Sequence, residues 1–186
     1  IMQTLQDLDL DENTVVIFLS DHGYLWGEHG LGGKWLMYEE SIRIPIIFQG
    51  PGIPDKMQGM KLDPLALNID IAPTILDMAG IPIPDEMDGI SLYPNLKGQH
   101  SSSRPDFFME HVGIVDAENP IPDSRGVRSG EWKYIRYVNV EPEVEEIYHL
   151  RYDPLESQNL VHDLSYTEIK DQLRERYDHY MGSLQK

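Results

Sequence analysis

"TVVIFLSDHGYLWGEHGLGGKW", residues 14–35, joins two kinds of sequence whose junction sets the fold. Thr14 to Leu19 is a continuous β-branched and apolar run, which suits a strand buried on both faces, as in a parallel α/β sheet. The next fifteen positions are polar and glycine-rich, with Asp21, His22, His29 and Lys34 set among Gly23, Gly27, Gly30, Gly32 and Gly33. In open α/β sheets ligands bind beyond the carboxyl ends of the strands, which is where Asp21 and His22 fall.

Upstream, Ile1, Leu5 and Leu8 have helical spacing, with an end near Leu10 and a turn at Asp11-Glu12-Asn13. A chain that starts inside a helix reads as a fragment whose leader lies upstream. The spaced acids Asp7, Asp9 and Asp11 do not make a calcium loop of the EF-hand kind. Such a loop needs Gly at its sixth position and Glu at its twelfth, where this chain has Glu12 and Phe18.

Downstream, Leu36 to Glu40 reads as a short helix and Ile44 to Phe48 as a second strand, closed by the turn Gly50-Pro51-Gly52. "NIDIAPTILDMAGI", residues 68–81, reads as a helix with Asp70 as its cap, Pro73 in its first turn and Gly80 at its end. Strands alternating with helices to about residue 98 indicate an α/β layer.

After His100-Ser101-Ser102-Ser103, which reads as a linker, the pattern changes. Asp106–His111, Gly126–Arg128, Trp132–Val138 and Ile147–Leu150 read as strands joined without helices, hence a small antiparallel sheet. A last helix opens at Ser165-x-x-Glu168, a capping-box pattern, and carries the stripe Ile169, Leu173, Tyr177, Tyr180, Leu184.

The 186 residues carry 15 Lys and Arg against 32 Asp and Glu, a formal charge of −17, which argues against nucleic acid as a partner. An anionic small substrate is compatible with it, because a site needs only a few well-placed cations. No run approaches the ~20 apolar residues of a membrane span. There is no cysteine, so disulfides and thiolate metal sites are excluded.

By residue type alone, two readings of residues 21–34 stand: a polar turn, or a site for a metal and an oxyanion. Asp21 and His22 can reach one cation where the chain turns sharply, as Gly23 permits, but two ligands are too few for any metal. Lys34 supplies a cation for an oxyanion among glycines that let backbone approach a ligand. His29 reads as a loop-packing histidine, and Glu28, Glu39 and Glu40 as solvated or paired with Arg43. Serine-hydrolase elbows and P-loops are absent from the sequence.

"TVVIFLSDHGYLWGEHGLGGKWLMYEESIRIPIIFQGPGI" resembles the second half of the catalytic domain of the type I sulfatases, in the alkaline phosphatase superfamily. "IDIAPTILDMAGIPIPDEMDGISLYPNLKG" is similar to the segment that follows there. "RGVRSGEWKYIRY", "IYHLRYDPLESQNL" and the last helix resemble the small C-terminal subdomain.

The resemblance implies an α/β fold: the C-terminal part of an alkaline-phosphatase-like sheet domain over residues 1–99, then a small antiparallel-sheet subdomain with a C-terminal helix over 100–186. It implies that Asp21 and His22 are two ligands of a calcium site, with another divalent metal left open because calcium prefers oxygen to imidazole. Lys34 matches the lysine that contacts the sulfate group. The implied reaction is hydrolysis of a sulfate ester at a formylglycine.

That residue arises in a C/S-x-P-x-R motif, which this sequence lacks, so the chain is expected to be the C-terminal portion of a sulfatase and inactive alone. The expected substrate is a sulfated carbohydrate, of the kind taken by bacterial amino-sugar and glycosaminoglycan sulfatases, or an aryl sulfate. His111, at a strand end beside a long loop, is a candidate sugar contact or a packed histidine. A periplasmic or secreted location follows by analogy, and self-association or association with the missing half from the apolar strand faces or edges that a partial sheet exposes. The alternatives are a phosphodiesterase or phosphonate monoester hydrolase of the same superfamily, and a non-catalytic glycan-binding module.

Overall fold

The structure, a computed structural model, describes residues 1–99, 104–113 and 121–184. In chain order its elements are α1 (Met2–Asp7), β1 (Val16–Leu19), β2 (Leu25–Trp26), β3 (Gly32–Gly33), α2 (Glu39–Ile42), β4 (Ile46–Gln49), α3 (Ile71–Met78) and α4 (Tyr93–Leu96). There follow β5 (Asp106–His111), β6 (Asp123–Ser129), β7 (Trp132–Val138), β8 (Val144–His149) and α5 (Thr167–Leu184). The chain divides into two units: residues 1–21 with 44–104, and residues 22–43 with 105–186. The linker read at residues 100–103 lies outside the described residues.

In the first unit β1 pairs antiparallel with β4, Val16 opposite Gln49 through Leu19 opposite Ile46. The parallel arrangement expected for β1 is therefore not found in this ladder. An apolar run suggests burial but not the direction of its neighbour, and β1 is buried on neither face at its end. The directly opposed Phe18 and Ile47 are 60% and 56% exposed. Gly50, with φ +141, ends β4 where a Cβ would lie 2.6 Å from the Thr14 carbonyl oxygen.

Asp70 was expected to cap α3. Its fully buried carboxylate instead accepts the Leu67 N–H at 2.8 Å and the Ile90 N–H at 2.9 Å, closing the turn before the helix. Arg104 binds both its oxygens, at 2.6 and 2.7 Å. Burial works against this charge, but Arg104 and the two amides hold the carboxyl below its ordinary range. Pro73 in the first turn and Gly80 (φ +69) beyond the helix end are as read.

The second unit is built on an antiparallel sheet in the order β5-β6-β7-β8. Side chains alternate across it. Val127, Tyr134 and Ile147 face α5 and pack on Leu173 and Tyr177. Ile135, Tyr137 and Tyr148 face the other way, and there Leu25, Met37 and Tyr38 cover them. The glycine-rich segment thus forms the second cover of the sheet. The α5 stripe buries Leu173 and Tyr177, with Ile169 and Tyr180 packed beside them, whereas Leu184 is exposed. The helix entry is held by Asp163, whose carboxylate accepts the Ser165 N–H at 2.8 Å; Ser165 itself lies within a preceding 3-10 turn, Leu164–Tyr166. The capping box read from Ser165 is replaced by this acid two residues earlier.

Candidate active site

Asp21 closes the first unit and His22 opens the second. The Asp21 carboxylate follows β1 at an exposed position, with the Ser20 hydroxyl 3.5 Å from Oδ1. From His22 onward the site can be built within the second unit. Leu25 and Trp26 pair with Gly33 and Gly32 in a two-stranded hairpin, β2 with β3, and Leu25 anchors it in the core. Lys34 emerges directly after β3, and its Nζ lies 2.6 Å from His22 Nε2. His22 Nδ1 lies 2.6 Å from the Gly23 carbonyl oxygen. A carbonyl can only accept, so Nδ1 carries the proton and Nε2 accepts from the lysine ammonium. Lys34 also lies 5.8 Å from the Trp35 ring centroid.

Gly23 was expected to permit a sharp turn; the structure gives a different reason for it. Its N–H donates to the Ser41 carbonyl at 2.7 Å, and a Cβ there would lie 2.0 Å from the Glu40 carbonyl oxygen. The two ends of the segment meet backbone to backbone, and no side chain fits between them.

A buried charge network fastens the far end of the segment. Lys133 on β7 has a fully buried side chain, whose Nζ donates to the Met37 carbonyl at 2.9 Å. It also lies 2.9 Å from Glu39 Oε1 and 2.7 Å from Glu156 Oε1. Arg128 lies 3.2 Å from Glu39 Oε2, and the Glu39 N–H donates to Glu156 Oε2 at 2.6 Å. Burial opposes both carboxylates, yet they shift oppositely. Glu39, which faces two cations, is held below its ordinary range, whereas burial outweighs the single cation at Glu156 and raises it.

Beside this network, the Tyr38 hydroxyl donates to Glu146 at 3.2 Å, and the Tyr38 ring stacks on His29 with centroids 3.9 Å apart. Burial raises the Glu146 carboxyl, with the tyrosine hydroxyls opposing that. His29 therefore packs, as read. Glu39, read as solvated or paired with Arg43, instead belongs to the buried network.

His111 stands at the end of β5, its ring edge toward Trp35 at 6.1 Å between centroids. Its Nδ1 is buried and, among the described residues, makes no hydrogen bond. The structure therefore strings His22, Lys34, Trp35 and His111 along one set of contacts in the second unit. Sequence reading passed over Trp35 and over the exposed rings of Tyr24 and Trp26. The available signal was the Tyr-Leu-Trp alternation around the buried Leu25. No group of three or more His, Cys, Asp or Glu side chains placed to hold a metal occurs among the described residues.

In the second unit, then, a lysine is held by a histidine on a glycine-rich hairpin. Residues 27–182 match the family described as N-sulphoglucosamine sulphohydrolase, C-terminal, and the chain belongs to that family. It is 34% identical over 185 residues to the Delta 4,5-hexuronate-2-O-sulfatase of Bacteroides thetaiotaomicron, covering 97% of this chain and 37% of that protein. A protein solved in complex with its substrate D-glucosamine-2-N,6-O-disulfate superposes with TM-score 0.87 at 28% identity, over 97% of this chain and 36% of that one. The phosphonate monoester hydrolase of Agrobacterium radiobacter superposes with TM-score 0.78 at 26% identity, over 99% and 37%. The chain spans 28–37% of the length of the curated relatives it matches.

Proposed function

We propose that this chain forms one wall of the active site of a sulfatase that hydrolyses sulfate esters on carbohydrates. The observation that carries the reading is the 2.6 Å contact of Lys34 with His22 on a hairpin of a chain in the sulfatase family. An ammonium has three donors. His22 Nε2 takes one, and a sulfate oxygen takes another. His22, fixed in its Nδ1–H form by the Gly23 carbonyl, holds that ammonium in place. His111 borders the same contacts through Trp35, and because its Nδ1 is buried a sugar hydroxyl would have to meet Nε2.

A divalent cation fits the donor chemistry in part. Asp21 offers carboxylate oxygens, whereas His22 could offer Nε2 only where Lys34 has left it, so this chain would contribute at most two ligands of a larger set. Calcium is the family's expectation, and when bound such an ion stabilises charge on the sulfate oxygens. The nucleophile, a formylglycine, would come from sequence outside this chain, since no C/S-x-P-x-R motif is present. Export to the periplasm or the exterior accords with this role, by family analogy.

The test is Lys34→Ala in the sulfatase assembled from this chain and the formylglycine-bearing part. Loss of a charge-stabilising donor predicts a fall in kcat/KM of about 10²–10³ on a sugar sulfate. An unchanged kcat/KM refutes the assignment of Lys34. The likeness to a phosphonate monoester hydrolase supports a second reading, hydrolysis of phosphonate or phosphate esters. Matched sulfate and phosphonate esters of one alcohol decide between the two.

A further inference from the structure

Tyr24 and Trp26 flank Leu25, and the hairpin's alternation sends both rings away from the core that holds Leu25. The two rings lie together, centroids 4.7 Å apart and tilted by 45°, with Tyr24 45% and Trp26 83% exposed. Directly across the ladder from Trp26 is Gly32, which has no side chain, so nothing from the opposite strand covers the indole. One residue beyond the ladder the same register sets Tyr24 opposite Lys34. The backbone beneath the pair is fixed, for the Trp26 N–H donates to Glu28 Oε2 at 2.5 Å and Gly27 turns the chain at φ +126.

An exposed, rigidly mounted aromatic pair beside an anion-binding lysine has a specific chemical meaning. Flat aromatic faces take the C–H faces of pyranose rings. The charge complement on the same hairpin, Lys34, selects a sulfated one. The same register sets Trp26 two residues further along the strand than Tyr24, about 7 Å at ~3.3 Å per residue, so the platform extends away from Lys34.

We propose that Tyr24 and Trp26 form a stacking platform for the sugar unit adjoining the one that bears the scissile sulfate, so that the site selects sulfated di- or oligosaccharides over monosaccharides. This rests on the sulfatase reading for the sulfated unit; the platform itself concerns the neighbouring ring.

The test measures binding by the sulfatase assembled from this chain and the formylglycine-bearing part, its nucleophile replaced by alanine, using N-acetylglucosamine 6-sulfate, a disaccharide carrying that sulfated unit, and the same disaccharide without sulfate. The parent chain, Trp26→Ala and Lys34→Ala are titrated by calorimetry, with light scattering alongside. The disaccharide is expected to bind roughly tenfold tighter than the monosaccharide, one aromatic contact's worth. Trp26→Ala is expected to abolish that ratio while leaving the monosaccharide affinity unchanged.

A ratio that survives Trp26→Ala, an equal loss on both ligands, or no binding of any sugar overturns the platform. Concentration-dependent self-association that Trp26→Ala abolishes also overturns it, assigning the rings to a second copy of the chain. If the platform holds for the unsulfated disaccharide while Lys34→Ala changes nothing, the platform stands and the sulfate reading fails.

Discussion

Lys133→Met removes the cation at the centre of the buried network and keeps a side chain of similar length. The Nζ it deletes lies 2.7 Å from Glu156 Oε1, 2.9 Å from Glu39 Oε1 and 2.9 Å from the Met37 carbonyl. Arg128 continues to hold Glu39 at 3.2 Å, but Glu156, with a fully buried side chain, keeps only the Glu39 N–H at 2.6 Å. Breaking a buried pair by removing one partner costs about 3–5 kcal/mol, because the remaining charge is stranded. A marginally stable domain loses a large share of its ~5–15 kcal/mol, and at this length Tm falls by about 6–20 °C.

The loss also has a pH signature. Glu156 already has a raised carboxyl in the parent chain, because burial outweighs its single cation. Without Lys133 it rises further. A carboxyl raised in the folded state favours folding below its unfolded pKa and ceases to do so as pH rises through the folded value. The deficit of Lys133→Met is therefore smallest in acid and grows toward neutrality. Urea unfolding of the parent, Lys133→Met and Lys133→Met with Glu156→Gln, at pH 5 and pH 7.5, measures this, and the second substitution recovers most of the loss. A deficit below about 1 kcal/mol, or one equal at both pH values, would refute the reasoning.

Asp70→Asn leaves a half-buried Arg104 without its carboxylate and is expected to cost about 3 kcal/mol by denaturant unfolding. Because the Asp70 carboxyl is held low in the fold, its contribution is present above its unfolded pKa and disappears as pH falls through the folded value. Asp70→Asn should accordingly flatten the acid limb of the stability profile. Gly50→Ala places a Cβ 2.6 Å from the Thr14 carbonyl at a backbone angle alanine avoids, an expected loss of about 2–4 kcal/mol. Amide exchange should show the loss first at β1 and β4, and unchanged protection there would count against it.

Much of the second unit was legible in the sequence because each strand and the last helix announce themselves by period. β7 spans Trp132–Val138, the segment read, and α5 buries Leu173 and Tyr177 from the expected stripe. Legibility fell where a residue answers to distant partners. Asp70 looked like a local cap, but Ile90 and Arg104, 20 and 34 residues away, decide its place. Glu39 looked like surface charge, yet Glu156 meets it from 117 residues downstream. The direction of β4 beside β1 could not be read from an apolar run, which suggests burial only. At the site, Lys34 and His22 stood twelve residues apart with nothing in composition to join them. Residue type made them candidates, the family resemblance supplied their expected roles, and the hairpin register explains how they meet.

The glycine-rich segment's membership of the second unit changes how damage to the far end of the chain should be understood. Val127, Tyr134 and Ile147 look like housekeeping residues of an appended module, yet the reverse side of their sheet is the floor on which Leu25, Met37 and Tyr38 rest. A missense change or a truncation after residue 105 would therefore loosen the segment that carries Lys34, and not only the sheet in which it falls.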